Sequence, residues 1–178
     1  MKSICLITPP SPFLLDERVF MHIGILKVAS SLEQRGYEVE FLDLSGIDNY
    51  LDVVRDYCTK SKITTFGLTA STPQIPFSVQ IGKIIKEVNQ NNKLILGGPH
   101  VTLMNTASKR EIKKGLHLSD RATKDIENLK KTFDVLVCGD GEYTVFEALK
   151  IDKGVIDADD KKSEFFLDNE QFSTLPLP

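Results

Sequence analysis

Apolar residues fall along this chain in short runs that alternate with longer stretches of helical spacing. Lys2–Thr8 is an apolar run closed by Pro9 and Pro10, which predicts a buried strand. From Phe20 to Arg35, Ile25, Val28, Ala29 and Leu32 recur at helical spacing, and Gly36 ends the segment. Val39–Leu44 predicts a second strand, closing on Asp43. Ile47, Tyr50, Leu51, Val54 and Tyr57 form a second helical stripe, Thr64–Thr69 a third strand, and Phe77, Ile81, Ile84, Ile85 and Val88 a third helix. Lys93–Leu96, cut off by Gly97-Gly98-Pro99, predicts a fourth strand. Phe133–Cys138, cut off by Gly139-Asp140-Gly141, predicts a fifth, and Val145, Phe146 and Leu149 mark the helix after it.

Strands alternating with helices of this length predict an α/β protein with a doubly wound, five-stranded parallel sheet, Rossmann-like or flavodoxin-like, in the order 2-1-3-4-5. The strands read as nearly continuous apolar runs because both faces of such a sheet are covered, and the crossovers are expected to be right-handed. Two segments break the rhythm. Asn105–Thr132 carries eight Lys or Arg against four Asp or Glu. It reads as a charged, solvated connection with one helix marked by Ala122, Ile126 and Leu129. Ile151–Pro178 is acidic and weakly patterned, with Phe165–Leu167 as a candidate edge strand. Residues 1–150 are thus expected to form the domain and 151–178 a tail, whose Leu175-Pro176-Leu177-Pro178 end reads as a linker cut in the middle.

Composition narrows the class. With 178 residues, 41% of them hydrophobic and 26% charged, the chain can bury a core of its own. A net charge of −3 argues against a nucleic-acid surface. No apolar run reaches the ~18 residues of a membrane span, so a cytoplasmic protein is expected. Cys5, Cys58 and Cys138 lack metal-ligand or disulfide spacing, and Cys5 and Cys138 read as small buried hydrophobes.

Ligands of open α/β sheets bind beyond the carboxyl ends of the strands. Here those ends read Thr8-Pro9-Pro10, Asp43, Thr69-Ala70-Ser71-Thr72, Gly97-Gly98-Pro99-His100 and Gly139-Asp140-Gly141-Glu142. There is no GxSxG elbow, HExxH pair or P-loop lysine. The carboxylates of a phosphoacceptor site are missing, since Pro9-Pro10 and Thr69 stand in their places. Gly139-x-Gly141-x-x-Thr144 is an incomplete dinucleotide motif. It reads as a tight strand-to-helix turn, or as a helix N-terminus facing a ligand. Two successive glycines, Gly97 and Gly98, remove side chains at the tip of a central strand and suit the close approach of a flat ligand; the alternative is a tight turn before the Pro99 bend.

Pro9-Pro10, Gly24-Ile25-Leu26, Leu32 through Val39, Asp43, Leu96 through Thr102 and Gly139-x-Gly141-Glu142 occur in that order. Together they resemble the N-terminal cobalamin-binding domain of B12-dependent radical S-adenosylmethionine proteins, over about residues 2–149. The resemblance implies a domain that holds cobalamin over its strand ends. Gly97, Gly98 and Pro99 would border the nucleotide tail, with the hydroxyls of Thr69, Ser71 and Thr72 near it. Gly139, Asp140, Gly141 and Glu142 would line its other side, and the loop from Pro10 and Ser11 to Phe13 would meet the corrin edge. The Asp-x-His-x-x-Gly sequence of the better-known cobalamin carriers is missing, which implies a base-off cofactor without that histidine and suits methyl transfer. The Cys-x-x-x-Cys-x-x-Cys run of the radical family is also missing. A 4Fe-4S cluster and S-adenosylmethionine are therefore expected only in a radical barrel elsewhere in a parent chain, of methyltransferase or ring-modifying cyclase type, and this fragment is not catalytic alone. The rival readings are a cofactor-free docking module of the same fold and a flavin or nucleotide binder. Of the histidines, His22 reads as a local cap or surface residue, with a cobalt-facing role as the alternative, His100 as a structural hydrogen-bonding residue, with ligand contact as the alternative, and His117 as solvated.

Overall fold

A computed structural model describes residues 2–19, 21–115 and 120–177. Phe20, His117 and Pro178, which figure in the expectations above, lie outside the described residues. The elements run β1 (Ser3–Thr8), α1 (Ile23–Gln34), β2 (Glu38–Asp43), α2 (Tyr50–Lys60), β3 (Thr65–Thr69), α3 (Ile75–Val88), β4 (Lys93–Gly97), α4 (Pro99–Lys114), α5 (Arg121–Leu129), β5 (Val135–Cys138), α6 (Gly141–Lys150), β6 (Gly154–Asp157) and α7 (Asn169–Ser173), with a single 3-10 turn at Thr72–Gln74. The strands form one parallel sheet in the order β2-β1-β3-β4-β5-β6.

The α/β class and the order of the first five strands are as expected, but the sheet has six strands rather than five. The extra strand, β6, pairs with β5 from Val135↔Gly154 to Cys138↔Asp157. Its sequence carries no clear alternation, and only Ile156 among its four residues is buried. Phe165–Leu167 is not a strand. Phe165 packs instead against the apolar cluster around Ile156.

Burial divides the sheet into two faces. Leu94, Leu96, Leu136 and Phe66 pack with α2, α3, α4 and α5 through Val54, Ile81, Val101 and Ile126. The alternate residues Ile4, Leu6, Ile95, Val135 and Val137 face α1 and α6. This pattern corrects the expectation of uniform handedness. The connections β1-α1-β2 and β5-α6-β6 step toward opposite edges of the sheet with their helices on the same face. The last crossover therefore has the opposite hand from the other four. Had α6 joined the crowded face, Ile95, Val135 and Val137 would lie uncovered, and burying them outweighs the handedness preference.

The charged connection is also more ordered than its composition suggests. Most of its first half belongs to α4, a 16-residue helix whose inward positions are His100, Val101 and Ser108. Two of these three are polar, so no apolar stripe announces the helix. Each is satisfied by a side chain, Ser108 by Thr123 at 2.9 Å and His100 as described below. Glu111 accepts hydrogen bonds from the backbone N–H groups of Ala122 and Thr123 and caps α5. Ala122, Ile126 and Leu129 are the buried stripe of α5, as expected. All three cysteines are buried and unpaired. Burial pushes the thiols of Cys5 and Cys138 up to about 12 and that of Cys58 to about 11.

Candidate functional site

On the face that carries α1 and α6, the two helices leave a gap over the central strands. α1 lies over β1 and β2, and α6 lies over β5 and β6. Between them is a cavity of about 480 Å³ floored by β1, β3, β4 and β5. Side chains alternate along each strand, so Ile4 and Leu6, Gly67 and Thr69, Ile95 and Gly97, and Val137 all present to this space. Gly141 lets α6 approach α1, since a Cβ there would stand 2.9 Å from the Val28 methyl.

The adjacent glycines of β4 do different work. A Cβ on Gly97 would meet only Val137, at 3.7–3.8 Å, which is ordinary contact, so the space beside it is open. Gly98 has φ 99° and ψ 178°, a conformation essentially confined to glycine. A Cβ there would stand 2.7 Å from the Ala70 nitrogen and the Thr69 hydroxyl. The expectation that both glycines clear a slot is thus corrected. Gly97 clears it, whereas Gly98 lets the chain turn tightly against β3 into α4. Gly139, at φ 85°, does likewise at the end of β5, where the backbone of Ala158 and Asp159 leaves no room for a Cβ.

Of the expected site residues, Thr69, Gly97, Gly98 and Pro99 line one side of the cavity, and Gly139, Asp140, Gly141 and Glu142 line another. Pro10, Ser11, Ser71 and Thr72 are not among its lining residues. They belong to a polar knot at the strand ends instead. Gln74, buried, donates to the Pro9 carbonyl at 3.1 Å and to the Ser11 hydroxyl at 2.7 Å, and it accepts from the Ser71 N–H and hydroxyl at 2.9 Å. The Ser11 N–H donates to the Glu17 carboxylate. Thr72 meets His100 Nδ1 at 3.0 Å, while His100 Nε2 meets Asp125 at 2.7 Å. His100 is therefore a structural tie between the Thr72 turn, α4 and α5. His22 stands at the N-cap of α1 but makes no side-chain cap bond, so that half of its expected role is absent. Asp43 accepts from the Ser45 N–H and hydroxyl, closing the turn after β2.

Several wall residues were not anticipated as site residues, Gly67 and Thr102 among them. Gly67 had a legible signal, a glycine in the middle of an apolar strand, and its missing side chain lets Leu6 lean across β3. Thr102 had none. Its hydroxyl donates to the Gly98 carbonyl and accepts from the Gly139 N–H, tying the two glycine turns together.

The wall is mostly apolar, and its ionisable groups sit at the N-terminus of α6. Glu142 is 5% exposed. Burial, with the neighbouring Asp140 charge adding to it, raises its carboxyl above the ordinary glutamate range, against the opposing pull of its own and the Gly141 backbone N–H and of Lys27. Burial likewise raises Asp140, with Lys27 opposing and Asp159 reinforcing. The Lys27 ammonium lies 3.9 Å from the centre of the Phe172 ring, which brings α7 against α1. Arranged this way, the site can receive a flat apolar group against Gly97 and offer it the acids of α6.

The family model for the B12 binding domain matches residues 18–118, more than half of the chain. An uncharacterized methyltransferase from Pyrococcus horikoshii is 25% identical over 114 residues, 62% of this chain and 25% of that protein. Two solved structures of the radical S-adenosylmethionine methyltransferase TsrM from Kitasatospora setae give a TM-score of 0.49 each. One, with tryptophan substrate and a SAM analogue bound, is 17% identical over 58% of this chain and 21% of its own. The other, with cobalamin and a [4Fe-4S] cluster bound, is 18% identical over 65% of this chain and 21% of its own. The chain thus spans about a quarter of the curated relative's length. On the match across β2, β3, β4 and all of α4, this chain belongs to the B12 binding domain family.

Proposed function

We propose that this chain is the cobalamin-binding part of a larger radical S-adenosylmethionine enzyme of methyltransferase or ring-modifying type. It takes the nucleotide tail of the cofactor into the cavity between α1 and α6. One observation carries the reading: in a member of the B12 binding domain family, a central strand ends in a glycine whose missing side chain leaves open space within an apolar cavity. A flat aromatic base fits such a space. The similarity to a curated methyltransferase supports the reaction class. The corrin ring would lie over the strand ends, beside the Ser11–Gln74–Ser71 knot.

The segment between β1 and α1 carries one histidine, His22 at its end, but the chain has no Asp-x-His-x-x-Gly sequence. With its base taken into the cavity between α1 and α6, the cofactor would be held base-off, without the histidine of that sequence. Cobalamin supplies the methyl-carrying chemistry when bound. The chain's own residues bind and orient it. Gly97 leaves room for the base, Gly98 and Gly139 shape the turns beneath the corrin, and Thr102 holds those turns in register. S-adenosylmethionine and the iron–sulfur cluster of such an enzyme are held outside these 178 residues.

Titration with hydroxocobalamin tests this directly. Uptake with the absorbance of a base-off corrinoid at neutral pH is expected, and Gly97→Leu should abolish it while the protein stays folded by circular dichroism. Uptake that survives Gly97→Leu would move the base elsewhere. Absence of uptake by the wild-type chain would favour a docking role, and a flavin-bearing yellow preparation a nucleotide role.

A further inference from the structure

The cavity wall is apolar except at a few points, and a heteroaromatic base that enters it leaves water behind. The ring nitrogen not bonded to ribose then loses its hydrogen bonds, and an unsatisfied buried acceptor is costly. Thr102 cannot replace them, because its hydroxyl is already engaged with Gly98 and Gly139. Thr69 and Glu142 remain as wall residues with free polar capacity, beside the half-buried Asp140. Glu142 is the most enclosed of the three. Its side chain is inside the wall at the N-terminus of α6, and no side chain among the described residues donates to it. The groups facing it are Asp140 on the same turn, Lys27 on α1 and the backbone N–H groups of Gly141 and of Glu142 itself. Burial favours its neutral form, and a neutral carboxyl can donate where a carboxylate cannot.

We propose that Glu142 is a specificity-determining residue of this cavity: its carboxyl group donates a hydrogen bond to the free ring nitrogen of the inserted base, so the site prefers benzimidazole-type tails to phenol-type tails, which have no ring nitrogen. The inference rests on the reading of the cavity as the seat of the nucleotide tail. It goes further by naming which class of tail is chosen and by which side chain.

The test titrates the wild-type chain, Glu142→Ala, Glu142→Gln and Thr69→Val with three corrinoids. These are hydroxocobalamin, a cobamide with a p-cresol tail, and cobinamide, which lacks the tail. Wild-type protein binds hydroxocobalamin more tightly than the p-cresol cobamide. Glu142→Ala weakens hydroxocobalamin about tenfold and leaves the other two within about twofold, while Glu142→Gln, whose amide N–H can donate, stays within about threefold of wild type. Equal wild-type affinity for the two tailed corrinoids overturns the inference and leaves the cavity reading intact. So does a Glu142→Ala loss shared by cobinamide, which marks a structural role, or a tail-specific loss that follows Thr69→Val instead. Absence of binding to all three overturns the inference together with the reading beneath it.

Discussion

On one face of the sheet four helices cover the strands, and Phe66, Leu94, Leu96 and Leu136 are fully excluded from solvent. On the other face the helices that cover the same strands, among the described residues, are α1 and α6, and a cavity stands between them. Neighbouring residues of a single strand serve the two sides: in β4, Leu94 and Leu96 fill the packed face, and Ile95 and Gly97 look into the cavity. A parallel sheet can therefore be finished as a core on one side and left open on the other by changing alternate positions only. The unusual hand of the last crossover follows from the same division, because it brings α6 to the side that α1 alone cannot cover.

The comparison breaks most readily on β4. Leu96→Ala should cost about 2–5 kcal/mol in urea unfolding, because the packed face cannot close over the hole. Gly97→Ala, one residue away, should change stability by less than about 0.5 kcal/mol. Equal losses would mean that the cavity face is packed as tightly as the other. Gly98→Ala sharpens the contrast between the two glycines. It places a Cβ against Ala70 in a backbone conformation that alanine avoids, with an expected loss of about 1–3 kcal/mol in the same measurement. A neutral Gly98→Ala would contradict the distinction drawn between spacing and turning glycines.

His100→Ala removes the tie from the Thr72 turn to α5 and should cost about 1–3 kcal/mol, since the 5%-exposed imidazole satisfies both Thr72 and Asp125. Loosening should appear as faster amide exchange at the Thr72 turn, not across α1 and α6. The smallest effect concerns Glu142. Its proton is held more tightly in the folded chain than in the unfolded one, whose carboxyl titrates near 4.5. Below that pH both states are protonated and the wild type bears no penalty. As pH rises past it, the unfolded chain ionises first and wild-type stability falls relative to Glu142→Gln, until the folded carboxyl ionises as well. The melting temperature of the wild type minus that of Glu142→Gln should therefore decrease from acid toward neutral pH. Carboxyls other than the neighbouring Asp140 are common to both proteins and cancel in the difference. A difference that is flat with pH would mean that burial does not hold the proton.

How far the sequence was legible depended on what each segment buries. Strands β1, β3, β4 and β5 are runs of apolar residues, and α1, α2, α3, α5 and α6 bury apolar stripes, so local pattern reports them. α4 buries a histidine and a serine whose partners, Asp125 and Thr123, lie on another helix. β6 buries one residue of four. Neither leaves a periodic trace. At the site, glycines at strand ends were visible as a composition anomaly, but their division of labour was not. Ser11, Ser71 and Thr72 have the hydroxyls expected of ligand contacts, yet they are taken up by Gln74 and His100.

By itself, the order of apolar runs and breakers determined the layered α/β class, the sequence of the first five strands and the edge at which chemistry could occur. These follow from local periodicity and from the one edge where all parallel strands end. Tertiary structure alone decided that α6 crosses back beside α1, that Gly97 opens onto empty space while Gly98 does not, and that Glu142 is enclosed by an apolar wall. Those properties depend on what lies across from a residue, and residues distant in the chain supply it.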